Sequence, residues 1–389
     1  MKKYFIQVKW ANLQRLGRWL LGAFFIFGVF QPLFSLGKIL WQGILFDFSL
    51  TYMRAAKAIL AGKNIYSFGD INYPPPSLFL FLPFSFLPLF WSQLIWSLLS
   101  LVCLGTSILI SLKILDQKVS LFTWFWITPL VLLSFPVKWT LGMGQMNNLI
   151  LLLMVLSFFF YKKKKEDWAG VFLGLAISFK IVPFFLVLLF FLKRKLKIVL
   201  TSFLTTLALF LLSGLFFGLN LISDYFLKVV PKTFGPAGKE IYYNQAISGF
   251  VSRIIFDFSL QSLLTNLLAL AIVAFTSFAL VRRNKVTDLD YALVITTFVL
   301  VSPFSWQHHF VWLLFPFLAA LVWLQQRKKT LGWKLLLALA YFLVAINIKQ
   351  PDLLLGIIFG KILLSHVFLG GLLLWLILVY LKRNEEIFY

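Results

Sequence analysis

Residues 167–197 read DWAGVFLGLAISFKIVPFFLVLLFFLKRKLK, and this stretch decides how the chain must fold. A run of four lysines precedes it, and a second basic run closes it. Such runs mark the cytoplasmic ends of membrane helices, so both ends of the stretch should lie on the same side. The apolar content between them allows only two half-length helices, broken near Pro183. The sequence therefore predicts a short helical hairpin whose tip carries Lys180.

The composition of the whole chain is that of a membrane protein. Its 389 residues are 61% hydrophobic and 13% charged. Soluble domains average about half apolar and about a quarter charged residues. Apolar runs of roughly twenty residues recur along the chain, which is enough for a helix to cross a hydrocarbon core. Because these runs are continuous rather than alternating, we predict helices and an all-α polytopic membrane protein.

The net charge of +23 follows from the way in which the basic residues are grouped. Short Lys/Arg runs separate the apolar segments, at residues 162–165, 193–197, 282–285, 327–329 and 382–383. They are typical of cytoplasmic loops, and no basic domain exists to grip phosphates, so we expect no nucleic-acid partner. The single Cys103 lies in an apolar run and cannot support a disulfide framework. The basic N-terminal segment lacks a small-residue cleavage site, which favours an uncleaved first helix.

The apolar pattern predicts about twelve transmembrane helices, counting the half-length pair as two. Helices are expected near residues 19–40, 121–137 and 199–219, and a short, partly buried segment should precede a helix within residues 77–115. Two long extracytoplasmic loops are expected, at residues 41–76, with an amphipathic helix ended by Gly62, and at residues 219–258. We interpret residues 1–389 as one integral membrane domain of the inner membrane, with both termini cytoplasmic.

The polar motifs fall on the predicted outer face. The cytoplasmic loops are short and basic, whereas the outer segments are rich in aromatic and amide residues. These segments are the loop of Asp47, GQMNN at 144–148, the Lys180 tip, YYNQAISGFVSR at 242–253 and SPFSWQHH at 302–309. This asymmetry predicts that the extracytoplasmic loops form a site.

Together with the blocks at residues 47–88 and 169–195, these motifs resemble glycosyltransferase family 87. Its members are integral membrane enzymes of GT-C type that use polyprenyl-phosphate sugars. The blocks occur in the order of the family, from Asp47 to Pro316. One departure is that Ala246 follows Gln245, where the family commonly has Ser. Beyond SPFSWQHH the resemblance fades and does not inform the choice of acceptor.

The resemblance implies a hexosyltransferase that works on the non-cytoplasmic face. It would move a hexose, often mannose, from a polyprenyl-phosphate donor to a lipid-linked or glycan acceptor. Asp47 matches the first-loop acidic residue proposed as the catalytic base of the family. His308 matches the histidine after SPxSW, which sits opposite that base in the cavity.

The chemistry of such a transfer agrees with the residues available. A polyprenyl phosphate leaves without protonation, so the enzyme needs a base, cations for the phosphate and polar groups for the sugar, but no general acid. We predict Lys180 and Arg253 as the cations that bind the donor phosphate. The predicted sugar or acceptor ligands are Tyr66, Tyr73, Gln145, Asn148, Asn244, Gln245, Trp306 and His309. We expect no metal and no other cofactor; the partners are membrane lipid, the donor, and a glycan or glycolipid acceptor.

Several of these residues also have a purely structural explanation. Asp47 could pair with Arg54, and the polar surroundings of Asp70 favour a solvated surface role. Lys180 could extend its amine to the membrane interface, and Arg253 could anchor the helix that follows it there. The sequence does not decide between these explanations and the functional ones.

The two adjacent histidines and the class of protein leave further alternatives open. His308 and His309 could bind a metal, but neighbouring side chains point apart and no carboxylate is near; His308 could instead be an interfacial residue bonded to backbone. A transporter or flippase would show inverted repeats and charged broken helices at mid-membrane, and no repeat is visible. A polysaccharide polymerase or ligase would rely on outer loops rich in arginine and histidine.

Overall fold

The computed structural model describes residues 2–234, 239–280, 284–328, 330–348, 353 and 358–385. Within these residues the regular structure is helical, and the only β-type pairing is one isolated antiparallel bridge between Asn244 and Trp306. The predicted all-α class is therefore confirmed.

The α-helices are numbered in chain order. They are α1 Lys2–Gln42, α2 Arg54–Leu60, α3 Leu78–Phe81, α4 Leu89–Ile114, α5 Leu121–Leu133, α6 Phe135–Met143, α7 Asn147–Lys162, α8 Glu166–Phe179, α9 Phe184–Leu192, α10 Leu196–Phe217, α11 Leu219–Asp224, α12 Val230–Phe234, α13 Ile247–Ile254, α14 Phe258–Leu280, α15 Asp288–Val301, α16 Leu314–Gln325, α17 Leu331–Ala345, α18 Ile358–Leu363 and α19 His366–Glu385. Two π-helices, Phe48–Met53 and Tyr225–Val229, and four 3-10 helices, Ile65–Phe68, Pro75–Ser77, Leu82–Phe86 and Gln307–Leu313, complete the set.

Six helical segments in the described part of the chain are long and apolar enough to cross a membrane. They are Trp19–Gln42, Leu89–Ile114, Leu196–Phe217, Phe258–Leu280, Gln307–Gln325 and His366–Glu385. The pair α5 and α6, bent by 66°, gives a seventh if it is counted as one span. The predicted total of about twelve is not confirmed, because apolar helices such as α7, with 16 residues, fall short of the roughly twenty needed to span a bilayer.

Glycine and proline divide the loop of residues 41–76 as the sequence predicts. The π-helix that follows Asp47 continues into α2, and the chain then turns at Gly62, whose φ of +71° is accessible to glycine without strain. Pro75 lies in the first turn of a short helical segment, and Pro88 precedes α4. The expected short segment before the second long helix is therefore confirmed.

The predicted helical hairpin is present, with its break at residues 180–183. Gly170 and Gly174 allow α8 to pack directly on α10, since a Cβ at either position would lie 2.6 Å from the Cβ of Thr201 or Thr205. Successive turns of α8 thus meet successive turns of α10, and the two helices run in the same direction. Because α9 lies between them in the chain, it must return from the tip. The start of α8 and the end of α9 therefore lie at the same end of the bundle.

Several ion pairs lie at the end of the bundle that is remote from the hairpin tip. The fully buried carboxylate of Asp290 lies 3.0 Å from the amine of Lys193 and 2.8 Å from that of Lys382. Lys162, at the end of α7, pairs with Asp288 at 2.9 Å. The 16 residues of α7 rise about 24 Å from the GQMNN motif to this end. The GQMNN motif and the basic runs that begin at Lys162, Lys193 and Lys382 therefore lie at opposite ends of the bundle.

The first long loop packs against the second. A small apolar cluster joins them, composed of Ala55, Ala58, Ile65, Tyr66, Ile71, Leu78, Phe210, Leu221, Tyr225 and Val229. The side-chain amide of Asn64 donates a hydrogen bond to Asp224, and the amine of Lys232 donates one to the carbonyl of Gly69 at 2.6 Å. The segment around α11 and α12 thereby holds the loop that carries Asp47 in place.

Labelling of single cysteines tests this two-ended arrangement. In a Cys103→Ala background we expect Lys63→Cys and Ile181→Cys, both at exposed positions of the tip end, to react with a membrane-impermeant maleimide from the extracytoplasmic side. Lys163→Cys, at the basic end, should react only after the membrane is opened. Reaction of Lys163→Cys and Ile181→Cys from the same side would contradict the arrangement.

Candidate active site

The carboxylate of Asp47 is half-buried and is held by an amide. Asp47 directly precedes the π-helix Phe48–Met53, and the side-chain nitrogen of Gln145 donates a hydrogen bond to its Oδ2. The oxygen of the same amide accepts hydrogen bonds from the hydroxyls of Tyr52 at 2.8 Å and Tyr73 at 3.1 Å. The amide that binds the carboxylate is thus itself oriented by two tyrosines.

Gly144 explains why Gln145 reaches Asp47. Gly144 has a φ of +69°, and a Cβ there would lie 2.6 Å from the Cβ of Phe48 and 3.0 Å from that of Leu45. Its carbonyl accepts a hydrogen bond from the indole of Trp96 at 2.7 Å. Only glycine combines this backbone conformation with so close an approach. The end of α6 is therefore pressed onto the loop of Asp47.

Arg54 is not the partner of Asp47. It forms an ion pair with Asp70, in which the two side chains are 40% and 58% exposed, and its guanidinium lies 4.9 Å from the centre of the Phe68 ring. The structure therefore decides against the alternative in which Asp47 merely neutralises Arg54. Asp70 has the solvated surface position that its sequence context favours.

The side chain of Lys180 is buried in the protein interior, with 8% exposure. Its amine donates a hydrogen bond to Oδ1 of Asn147 at 2.7 Å and lies 5.7 Å from the centre of the Tyr73 ring and 5.4 Å from the Trp312 ring. Ring faces attract a cation at such distances. Lys180 therefore points inward towards the site and does not extend to the membrane interface.

The electrostatics of Asp47 link it to Lys180. Burial raises the pKa of Asp47 above its ordinary value, while the hydrogen bond from Gln145 and the positive charge of Lys180 both lower that pKa and so limit the rise. A carboxyl group with a raised pKa beside a buried amine is a common feature of catalytic sites. Asp47 and Lys180 thus form one electrostatic unit.

Asn147, rather than Asn148, faces this unit. The side-chain nitrogen of Asn147 donates a hydrogen bond to the backbone carbonyl of His308 at 3.1 Å, and the hydroxyl of Thr140 reaches the same carbonyl at 3.2 Å. Asn148, which we predicted as a sugar ligand, is fully buried and donates to Ser100 at 2.9 Å. Adjacent positions on a helix point about 100° apart, and the motif GQMNN alone does not say which asparagine faces the site.

The two histidines have different surroundings. His308 is buried, and within the described residues its Nδ1 has no hydrogen-bond partner. Nδ1 of His309 accepts a hydrogen bond from the backbone N–H of Trp306 at 3.1 Å, and its ring stacks on Trp312 at 5.0 Å. The imidazole planes are 89° apart. The part of the chain that the structure describes contains no group of three or more His, Cys, Asp or Glu placed to bind a metal.

The guanidinium of Arg253 is engaged with its own chain. It donates to the carbonyls of Ile241 and Asn244 at 3.2 and 2.8 Å and, through two nitrogens, to the hydroxyl of Ser365 at 3.0 and 2.9 Å. The residue is only 3% exposed. This geometry favours a structural role, in which Arg253 holds residues 241–244 in place, over the predicted contact with donor phosphate.

Asn244 and Gln245 have similar structural surroundings. The oxygen of Asn244 accepts hydrogen bonds from the N–H groups of Ala246 and Ser305, at 3.3 and 3.2 Å. The amide of Gln245 donates to the carbonyl of Leu364 at 2.8 Å and accepts from the N–H of Phe368 at 3.1 Å. Both side chains are fully buried. Their hydrogen bonds hold residues 242–253 in place, and neither side chain faces an open cavity.

Tyr66 lies one layer behind the site. Its hydroxyl donates to the backbone carbonyl of Tyr73 at 2.7 Å, and its ring packs against Tyr225 at 5.9 Å. It therefore helps to position Tyr73, which contacts Gln145 directly.

The structure brings together one part of the predicted set and separates it from the rest. Asp47, Tyr73, Gln145, Lys180 and His308 are linked by direct contacts or through Asn147. A carboxylate that can accept a proton, an amine that can bind an anion and an imidazole with an available nitrogen thus share one end of the bundle. This combination suits a reaction in which a hydroxyl loses a proton while an anionic group departs.

Comparison with known proteins gives the family. The sequence model described as glycosyltransferase family 87 matches residues 72–303, more than half of the chain. The chain is 26% identical over 368 residues to the polyprenol-phosphate-mannose-dependent alpha-(1-2)-phosphatidylinositol mannoside mannosyltransferase of Mycolicibacterium smegmatis, covering 84% of this chain and 82% of that protein. It is 25% identical over 290 residues to the protein of the same description from Mycobacterium tuberculosis, covering 68% and 67%. No solved structure matches the chain.

The match contains three motif segments in full, namely GQMNN at 144–148, the Lys180 tip and residues 242–253, and only the first two residues of 302–309, so Asp47 and His308 lie outside the matched residues. It decides against a transporter or flippase and against a polymerase or ligase. The apolar helical spans indicate a membrane protein. The matched region shows that the chain belongs to glycosyltransferase family 87.

Proposed function

We propose that this protein transfers a mannosyl residue from a polyprenyl-phosphate donor to a hydroxyl of a glycolipid acceptor. The donor, the sugar and the acceptor class follow the printed activities of the two mycobacterial relatives. The observation that carries the proposal is that a half-buried carboxylate, Asp47, and a buried amine, Lys180, both adjoin Tyr73, whose hydroxyl bonds the amide that binds Asp47 and whose ring centre lies 5.7 Å from the amine. These are the two charges that such a transfer requires.

Asp47 acts as the general base. Its Oδ2 is occupied by the hydrogen bond from Gln145, which leaves Oδ1 for the acceptor hydroxyl. As the acceptor oxygen forms its bond to the anomeric carbon, the hydroxyl proton passes to the carboxylate. The bond from the anomeric carbon to the phosphate oxygen breaks in the same step, so a single displacement inverts the anomeric centre.

Lys180 binds the phosphate that departs. A polyprenyl phosphate leaves as an anion, and a positive charge in a site of low dielectric stabilises that charge as it develops. Asn147 and the rings of Tyr73 and Trp312 hold the amine in position before the donor binds. We retain Lys180 alone as the phosphate cation, since Arg253 is committed to its own backbone.

We also propose that the site faces the non-cytoplasmic side of the inner membrane, in a GT-C type arrangement with both termini cytoplasmic. The support is the separation of charges along the bundle. The basic runs that begin at Lys162, Lys193 and Lys382 lie at the end opposite to Asp47. The labelling of residues 63, 163 and 181 described above tests this orientation.

Replacement of the base is the first test of the mechanism. We expect Asp47→Asn to lower transfer by at least about 100-fold, because an amide cannot accept the proton of the acceptor. The measurement is transfer of labelled mannose from polyprenyl-phosphate mannose to phosphatidylinositol mannoside by purified protein. Asp70→Asn, which disrupts only an exposed ion pair, should leave transfer near the wild-type rate. A correctly folded Asp47→Asn protein with substantial turnover would remove Asp47 from the mechanism.

The pH dependence of transfer tests the role of Gln145. The base must be ionised, so activity should fall as the pH drops through the pKa of Asp47. Removing the hydrogen bond in Gln145→Leu removes an influence that lowers this pKa, so the acidic limb of the pH profile should move to higher pH. Gln117→Leu, three residues beyond the end of α4, serves as the control and should keep the wild-type profile. An unchanged limb in Gln145→Leu would show that Asp47 does not set it.

Donor affinity tests the role of Lys180. A charge-assisted hydrogen bond contributes roughly 1.5–3 kcal/mol, so Lys180→Met should raise the KM for the donor by about 10- to 100-fold. Lys197→Met, in an exposed ion pair at the other end of the bundle, should behave as wild type. We expect transfer to continue in the presence of EDTA. Loss of transfer with EDTA and its recovery with a divalent ion would make Asp47 a metal ligand and not a base.

A further inference from the structure

An aromatic cluster lies beside the candidate active site, and the proposed function leaves most of it without a role. The centres of the Trp139 and Tyr243 rings are 4.3 Å apart, and the ring of Tyr243 lies nearly parallel to that of Trp306 at 6.2 Å. His308 adjoins both tryptophans, at 5.4 Å from Trp139 and 6.3 Å from Trp306. Of the three large rings, only Trp306 is predicted from the sequence as a sugar ligand, because Trp139 and Tyr243 are brought beside it by the fold.

The cluster is assembled from three segments that are distant in the chain. Trp139 lies in α6, whereas Tyr243 and Trp306 lie in the two outer motif segments. The bridge between Asn244 and Trp306, and a 3.0 Å hydrogen bond from the N–H of Gln307 to the carbonyl of Tyr243, pair these segments. The positions of the Tyr243 and Trp306 rings relative to each other are therefore set by backbone pairing.

The backbone beneath these rings is held by buried polar groups, whereas the rings themselves are open. Arg253, Asn244 and Gln245 each donate at least one hydrogen bond to a backbone carbonyl within residues 239–244, the segment that carries Tyr243. Tyr243 is nevertheless 37% exposed, and Trp139 and Trp306 are partly exposed. An exposed ring on a rigid backbone loses little freedom when a ligand covers it, which favours binding.

His308 supplies the polar half of the same surface. Its Nδ1 is buried and has no hydrogen-bond partner among the described residues. Leaving such an atom without a hydrogen bond costs about 1–3 kcal/mol, so a ligand group that supplies this hydrogen bond gains binding free energy. A pyranose ring matches this arrangement, because one face presents C–H groups to aromatic rings while its hydroxyls seek polar partners.

We propose that Trp139, Tyr243 and Trp306 form a platform that binds a hexopyranose ring by its C–H face, with Nδ1 of His308 hydrogen-bonded to a sugar hydroxyl. The platform adjoins the reacting groups, because the carbonyl of His308 is bound by Asn147, which also holds Lys180. The proposal rests on the proposed glycosyl transfer. Donor and acceptor both contain a hexopyranose, and separate KM values tell which of the two occupies the platform.

Tyr243 gives the sharpest test because its ring is exposed and its loss does not empty the core. Tyr243→Leu keeps an apolar side chain but loses the aromatic face, whereas Tyr243→Phe keeps the face. We expect Tyr243→Leu to raise one KM at least fivefold with kcat changed less than twofold, and Tyr243→Phe to restore most of the lost affinity. Trp306→Leu should raise the same KM.

Trp168→Leu is the matched control. This tryptophan is also exposed, at 54%, but it lies near the start of α8, about 18 Å of helix away from Lys180. Both KM values should stay at the wild-type level in this variant. An equal effect of Trp168→Leu and Tyr243→Leu would overturn the platform, since it would show that loss of any exposed ring weakens the protein.

The outcomes distinguish a donor sugar from an acceptor sugar, and they distinguish failure of the platform from failure of the proposed transfer. A rise in the acceptor KM alone places the acceptor sugar on the platform, and a rise in the donor KM alone places the donor sugar there. Unchanged KM values in Tyr243→Leu, with wild-type transfer intact, would overturn the platform while leaving the proposed function in place. If the wild-type protein transfers no mannose, the proposed function fails. The platform is then tested separately by saturation-transfer NMR with methyl mannoside. Binding to wild type that is lost in Tyr243→Leu would support the platform, and equal binding to both proteins, or none to wild type, would overturn it.

Discussion

A half-buried carboxylate needs a hydrogen-bond donor, and Asp47 obtains one because Gly144 lets the end of α6 lie against the loop that carries it. This contact requires a positive φ and the absence of a Cβ at the same position, a pair of conditions that only glycine meets at low cost. Gln145 is then placed between the carboxylate and the hydroxyls of Tyr52 and Tyr73. Without that approach the carboxylate would lose the hydrogen bond from Gln145, and only the charge of Lys180 would oppose the rise in its pKa that burial causes.

The buried amine of Lys180 depends on the same part of the fold. A lysine at the tip of a half-length hairpin is costly to bury unless polar or aromatic partners surround it. Asn147 and two ring faces provide them, and Asn147 also binds the segment of His308. The carboxylate of Asp47, the amine of Lys180 and the segment of His308 are therefore joined through residues 145–147 at the start of α7, whose opposite end carries the ion pair of Lys162. One helix thus separates the end of the bundle that carries the candidate site from its basic end.

Buried polarity serves two purposes in this end of the molecule. The hydrogen bonds of Asn244, Gln245 and Arg253 are spent on backbone and on neighbouring helices, as buried polar groups require. They fix the outer segments and leave Tyr243 exposed on a rigid base. In the site itself Nδ1 of His308 is unsatisfied, and the carboxylate of Asp47 keeps an oxygen that Gln145 does not occupy.

The sequence by itself determined the helical class, the break of the hairpin near Pro183, the turn at Gly62 and the family. Each of these depends on local composition, on residues with restricted backbone angles or on the order of motifs. It did not determine the number of spans, because an apolar run does not show whether its helix is long enough to cross the membrane. Nor did it show that Arg54 pairs with Asp70, or that Asn147 rather than Asn148 faces Lys180. Those choices belong to the tertiary structure, because the direction of a side chain and the identity of its partner are decided by contacts between segments far apart in the chain.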